Sequence, residues 1–97
     1  MTNNNNKEDK IFAICEIQLH YPFFASLSKL ISMSNVWGIK LVKTNSKSPI
    51  AKISIPSRVF KKIMGENPRE DKVYNPPNNA GHIFSKLTVK RIEAKDD

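Results

Sequence analysis

Hydrophobic and polar residues alternate in four separate segments of the chain, and this alternation predicts four β-strands. The first strand is expected over residues 11–20, with its odd-numbered apolar residues facing the core. The second is expected between residues 36 and 44, with Trp37 and Leu41 on one face and Val36 on the other. The third is expected over residues 50–55, before Pro56, and the last over residues 86–93.

Apolar residues at helical spacing predict two helices between these strands. The first is expected over residues 22–33, where Pro22 presets the backbone for a helix start. Ser34 and Asn35 indicate its end. The second helix follows Pro56 directly, and Gly65 is expected to end it as a left-handed cap.

The order β-α-β-β-α-β predicts an α+β fold, the ferredoxin-like sandwich, in which a four-stranded antiparallel sheet carries both helices on one face. Residues 11–97 are expected to form this single domain. Residues 1–10 are interpreted as a disordered polar tail, and residues 66–85 as a long Pro-rich loop. With the usual strand order 4-1-3-2, the face of the sheet away from the helices stays open.

The open face is the candidate interface, because outward positions of the strands mix apolar and basic residues. Phe12, Ile14 and Ile92 are expected at one end, and Val42 and Ile50 at the other with His20. Lys40, Lys52 and Lys90 are expected near the middle. Alternatively, the N-terminal tail, the long loop or a second copy of the chain covers this face, the last as an isologous homodimer.

Sixteen basic residues against nine acidic ones give the chain a net charge of +7, which favours encounter with nucleic acid, acidic proteins or anionic membranes. Solubility, or a codon bias also visible in the Asn run, is the alternative explanation. Stacking of bases requires aromatic residues on the first and third strands, and only Phe12 is present. A nucleic-acid binder would therefore contact phosphates through basic side chains, namely Lys40, Lys43, Lys47, Lys52, Arg58, Lys61 and Lys62.

Candidate chemistry is sparse, so the chain is not expected to be an enzyme or to hold a metal or cofactor. Cys15 falls on the inward face of its strand and is expected to be a small buried hydrophobe. His20 and His82 lack a partner at metal-ligand spacing. A lone cysteine, no secretory signal and no long apolar run together indicate a cytoplasmic protein without a membrane partner.

Three segments, residues 38–42, 57–65 and 89–93, resemble those of propeptides and small protein inhibitors of subtilisin-like serine proteases. The resemblance implies that the open sheet face packs on two helices of a protease and that the C-terminal tail lies along its substrate cleft. The implied contacts on the sheet are Phe12, Ile14, Val42, Ile50 and Ile92. The implied tail is Glu93, Ala94, Lys95, Asp96 and Asp97.

Together these patterns predict a small, non-catalytic protein-binding module, inhibitor-like or propeptide-like. Its partner is expected to be a protein, either a protease or a second copy of this chain. The alternative is a basic nucleic-acid-binding protein.

Overall fold

Seven secondary-structure elements follow one another in a computed structural model that describes residues 10–43, 48–77 and 80–94. The tail expected at residues 1–10 therefore lies outside the described residues, except for Lys10. The elements, in chain order, are β1 (Ile11–Leu19), α1 (Phe23–Trp37), β2 (Lys40–Lys43), β3 (Ile50–Pro56), α2 (Ser57–Met64), β4 (Val73–Tyr74) and β5 (Phe84–Ala94).

The strands form one antiparallel sheet in the order β2-β3-β1-β5-β4. The α+β class is confirmed, and the relative order of the four predicted strands agrees with the prediction. The prediction of four strands is wrong, because the sheet has five. The additional strand, β4, lies inside the segment expected to be a loop and pairs with the outer edge of β5.

Strand β4 is held by its buried tyrosine and by backbone hydrogen bonds at its start. The Tyr74 ring is 8% exposed and meets Phe60 of α2 edge to face, with 5.0 Å between the centroids. Just before the strand, the Asp71 N–H donates to the Val89 carbonyl at 2.7 Å, and the Val89 N–H donates to the Lys72 carbonyl at 3.1 Å. A strand of two residues is too short for alternation to reveal it.

Helix α1 continues to Trp37, four residues beyond its expected end, so the expected start of the second strand at Val36 is wrong. Ser34 does not interrupt the helix, because its hydroxyl donates to the carbonyl of Ile31 at 2.6 Å within the helix. The helix ends at Gly38, which adopts a left-handed φ of 72°. The Gly38 N–H there donates to the Ser34 carbonyl at 2.9 Å.

Helix α2 lies where it was expected, and Gly65 caps it in the left-handed conformation with φ 88°. Both helices cover the same face of the sheet. Leu30 and Trp37 of α1 and Phe60 of α2 join the core cluster with the odd-numbered residues of β1 and β3, Ala13, Cys15, Ile17, Leu19, Ala51, Ile53 and Ile55. The opposite face of the sheet is called the open face below.

Candidate functional site

The strand register identifies the side chains of the open face, because residues directly opposite in an antiparallel pair lie on the same face. The odd-numbered residues of β1 face the helices from Ala13 onward. The even-numbered residues of β1, and the residues paired with them, therefore lie on the open face. Two register shifts make this face different from the one that alternation predicted.

The first shift lies between Ile14 and Cys15 of β1. Cys15 pairs with Val89, whereas Ile14 pairs with Arg91, so Lys90 is an extra residue in β5. Beyond this bulge the alternation of β5 is reversed. Arg91 lies on the open face, and Ile92, paired with Ala13, packs against the core under the helices. The expected open-face position of Ile92 is therefore wrong, and so is its expected role as a contact on that face.

The second shift lies on the edge strand β2. Leu41 pairs with Ile53, and Lys43 pairs with Lys52, so Val42 is the extra residue. The regular position expected for Val42 on the open face is taken by Lys43, directly opposite Lys52. Val42 itself remains 52% exposed at the edge of the sheet.

Basic side chains dominate the open face as a result. The described residues whose register places them there include two acidic side chains, Glu16 and Glu93, and five basic ones, Lys40, Lys43, Lys52, Lys86 and Arg91. Like charges directly opposite each other, as in the pair Lys43 and Lys52, destabilise a sheet by some tenths of a kcal/mol. Glu16 is the residue directly opposite Lys52 on its other side.

The expected contact Ile14 is not accessible on this face. Its side chain is 4% exposed, and that of its partner Ser54 is 3% exposed. In the register these two residues lie between Lys40 and Arg91.

Apolar side chains also belong to the open face among the residues that the structure describes. Ile50 is 40% exposed and Val73, which pairs with Thr88, is 55% exposed. Phe12 is half-buried and lies between Pro56 and Glu93 in the register. The open face therefore combines apolar patches with a majority of positive charge.

The expected C-terminal contacts lie at the end of β5. Glu93 accepts a hydrogen bond from Nε of Arg91, and Ala94 is exposed. The Ile92 N–H, on the side of β5 that faces β4, donates to a carboxylate oxygen of Glu70 at 3.0 Å. Lys95 lies outside the described residues, as does Lys47 of the nucleic-acid set.

The basic residues expected to contact nucleic acid are divided between two surfaces. Lys40, Lys43 and Lys52 share the open face. Arg58, Lys61 and Lys62 belong to α2, the helix that covers the opposite face. One ligand lying flat on the sheet therefore meets only the first group. The sequence alternation did not place Arg91 on the open face. Lys86 was the first residue of the expected last strand, and no role on the open face was assigned to it.

The residues considered for chemistry occupy structural positions. Burial raises the pKa of the Cys15 thiol to about 12, so the thiol stays protonated at neutral pH. The Nε2–H of the His20 ring donates a hydrogen bond to the carbonyl of Gly81 at 2.8 Å. Within the part of the chain that the structure describes, no three His, Cys, Asp or Glu side chains cluster closely enough to hold a metal ion.

Comparison with known proteins identified no relative. No family model, curated protein or solved structure matched the chain. In addition, neither helix in the described ranges is long and apolar enough to span a membrane.

Proposed function

We propose that this chain is a small, non-catalytic, cytoplasmic module that binds single-stranded nucleic acid on the open face of its sheet. The observation that carries the proposal is the concentration of five basic against two acidic side chains on that face. Nucleic acid carries a dense row of phosphate anions, and neutralising them releases counterions, which drives binding at low salt.

The shape of the face favours a single strand over a duplex. Neighbouring strands lie about 4.8 Å apart, so the five-stranded sheet is about 19 Å wide between its outer strands. The major groove of B-DNA is about 12 Å wide and admits a helix or a two-stranded ribbon. A single strand can lie across the sheet, with phosphates near the lysines and unstacked bases against the exposed side chains of Ile50 and Val73 or the half-buried ring of Phe12.

The test is fluorescence anisotropy with labelled single-stranded and duplex oligonucleotides of one sequence, at several salt concentrations. We expect tighter binding of the single strand and an affinity that falls steeply with salt. The double variant Lys43→Gln/Lys52→Gln should make the log-log salt dependence shallower by about 0.7 for each lost contact. Lys62→Gln, on the helical side, is the matched control. Binding that ignores the open-face variant, or that Lys62→Gln weakens equally, refutes the proposal.

The finer fold assignment is also a proposal. The four longest strands lie in the order β5-β1-β3-β2, which is the order of a ferredoxin-like sandwich, and β4 is an addition to its edge. This fold carries many unrelated functions, so the fold alone does not select one.

A protein partner is the second candidate, and the exposed apolar residues Val42 of β2 and Ile50 of β3 favour it. Val42 is 52% exposed and Ile50 is 40% exposed, and both belong to the contact set implied by the resemblance to protease propeptides and inhibitors. A second copy of the chain is the other protein partner to test. The test is inhibition of a subtilisin-like protease, together with the oligomeric state by sedimentation. Ile50→Asp should abolish either interaction, and an unchanged result with this variant excludes the surface around Ile50 as the interface.

A further inference from the structure

Helix α1 exposes large apolar side chains on its outer surface, although its inner side already covers the core. Leu30 and Trp37 belong to the core cluster. On the outer side, Phe24 is 65% exposed, Ile31 is 47% exposed and Val36 is 81% exposed. A helix at the surface of a protein normally presents charged and polar residues to solvent, so an apolar outer surface indicates a contact there.

The surface between these side chains is uncharged. Successive residues of a helix are rotated by about 100°, so Phe24 and Ile31, seven positions apart, lie within about 20° of each other. Val36 lies about 120° from Phe24 on the same count. Lys29 is the one charged residue in the sequence of α1. The positions between Phe24 and Val36 on the outward half of the helix include the small polar residues Ser28, Ser32 and Asn35.

An exposed aromatic ring stands beside the first turn of α1 and is held in place there. Tyr21 is 83% exposed, and its ring meets the ring of Phe23 edge to face, with 5.4 Å between the centroids. Phe23 packs against the core cluster. The hydroxyl of Ser26 donates to the carbonyl of His20, next to the tyrosine, at 2.8 Å. Amphipathic rings of this kind are enriched where a lipid bilayer meets water.

The charge of the two helices is exclusively positive. The sequences of α1 and α2, both described in full, contain no acidic residue. Lys29, Lys61 and Lys62 are exposed, and Arg58 already has an interaction partner in the chain. Both helices cover the same face of the sheet and are called the helical layer below. Charge complementarity therefore favours an anionic partner for the helical layer.

We propose that the helical layer binds the surface of an anionic lipid bilayer. Tyr21, Phe24 and Ile31 enter the boundary between headgroups and acyl chains, and Lys61 and Lys62 lie at the anionic headgroups. The contact is peripheral, because α1 keeps its inner side on the core. This proposal differs from the prediction made from the sequence, which gave the protein no membrane partner. It does not depend on the function proposed above, since the open face points away from the bilayer.

A bilayer fits the helical layer better than a protein surface does. A second copy of the chain would bring two layers together that both carry only positive charge, which opposes association. Any other protein would have to present apolar and acidic groups in positions that match the exposed rings and lysines. An anionic bilayer offers negative charge and an apolar interior over its whole surface, so no matched pattern is needed.

The experiment is co-sedimentation of the full-length protein with vesicles, either of phosphatidylcholine alone or of phosphatidylcholine with about 30% phosphatidylserine. We expect binding to the anionic vesicles to be at least about tenfold tighter than to the neutral ones, and to weaken as the salt concentration rises. Equal binding to both kinds of vesicle, or no binding to the anionic ones, overturns the proposal.

Charge variants on opposite sides of the sheet then identify the surface that binds. Lys61→Gln/Lys62→Gln removes two charges from the helical layer and should weaken binding to the anionic vesicles about 30-fold. Lys43→Gln/Lys52→Gln removes the same number of charges from the open face and should leave the affinity within about twofold. Equal weakening by the two variants shows that net charge alone attracts the protein, and it overturns the proposal.

Apolar variants test the contact of α1 in the same way. Phe24→Ala/Ile31→Ala should weaken vesicle binding at least about tenfold, because both side chains lose apolar area that the bilayer would cover. Ile50→Ala is the control, since Ile50 is exposed to a similar extent on the opposite face and should leave vesicle binding unchanged. An unchanged affinity of the α1 variant overturns the proposal.

Sedimentation velocity without vesicles tests the alternative occupant. We expect a monomer, and a dimer that Phe24→Ala/Ile31→Ala dissociates would show that a second copy covers α1, which also overturns the proposal. Thermal unfolding of each variant verifies that these exposed substitutions leave the fold intact. Binding of oligonucleotides should be unaffected by the variants of the helical layer, so the failure of one proposal is separate from the failure of the other.

Discussion

The bulge at Lys90 leads to a prediction that distinguishes the observed register of the sheet from the register that strict alternation implies. With the bulge, Ile92 packs against the core under the helices. Without it, Ile92 lies on the open face, where its truncation has little effect on stability. Ile92→Ala therefore tests the register directly.

The size of the effect follows from burial. Truncation of a fully buried isoleucine to alanine costs about 2–5 kcal/mol, and Ile92 is only half-buried, so we expect a loss near the lower end, about 2 kcal/mol. For a domain of this length that corresponds to a decrease in Tm of about 8–16 °C. Ile50→Ala is the matched control, since Ile50 is also on an interior strand but is 40% exposed on the open face. It should cost less than about 1 kcal/mol.

Urea unfolding followed by tryptophan fluorescence measures both variants. Trp37 is the only tryptophan of the chain and is 9% exposed in the folded domain, so its emission reports the transition. A midpoint for Ile92→Ala that equals that of Ile50→Ala, with unchanged m-values, would refute the register shift. Arg91→Ala is a second test of the register, because Arg91 lies on the open face and its truncation should have little effect on the free energy of unfolding.

Three further measurements test other parts of the structure. Burial in the folded state raises the pKa of Cys15 from its ordinary 9.0 to about 12. The contribution of the protonated thiol to the free energy of unfolding is therefore fully present below pH 9 and should fall as the pH rises toward 12, by up to about 1.4 kcal/mol per pH unit. The urea midpoints at pH 8 and pH 10 should differ less for Cys15→Ala than for the original protein. Tyr74→Phe keeps the ring contact with Phe60 but loses the hydroxyl bonds, and should cost about 1 kcal/mol in urea unfolding, whereas no loss would show that these bonds are not formed. Gly38→Ala forces a side chain into a left-handed conformation and should lower Tm by an amount equivalent to about 1 kcal/mol, while Gly81→Ala, where φ is not positive, should not.

Local patterns predicted most of the fold because each depends on one segment alone. The alternation in β1 and β3 and the helical spacing in α2 coincide with elements that pack directly on the core. Ser34 and Asn35 misled the prediction for α1, because these residue types favour helix ends and turns, whereas here the helix continues past them to bury Trp37 in the core. Gly38, with its positive φ, was the decisive end signal and was assigned to a strand instead.

The open face was less predictable, because bulges depend on the pairing partner as well as on the strand itself. One signal was nevertheless present in β5. The core residues Phe84 and Leu87 are three positions apart, and so are Val89 and Ile92. A spacing of three cannot keep two residues on one face of a regular strand, so each interval requires an extra residue. The register places those extra residues at Ser85 and Lys90.

The bulges change what the open face can bind. One bulge places Arg91 rather than Ile92 there, and the other places Lys43 rather than Val42, so each replaces an apolar side chain with a positive one. The second also sets Lys43 directly against Lys52, an arrangement that lowers the stability of the sheet. Proteins break such local rules chiefly at functional sites, where a ligand supplies the compensating interaction. Anionic ligands relieve this repulsion, whereas an apolar protein surface would bury the charges without compensation. The register of the sheet is thus the physical reason to test nucleic acid before a protein partner.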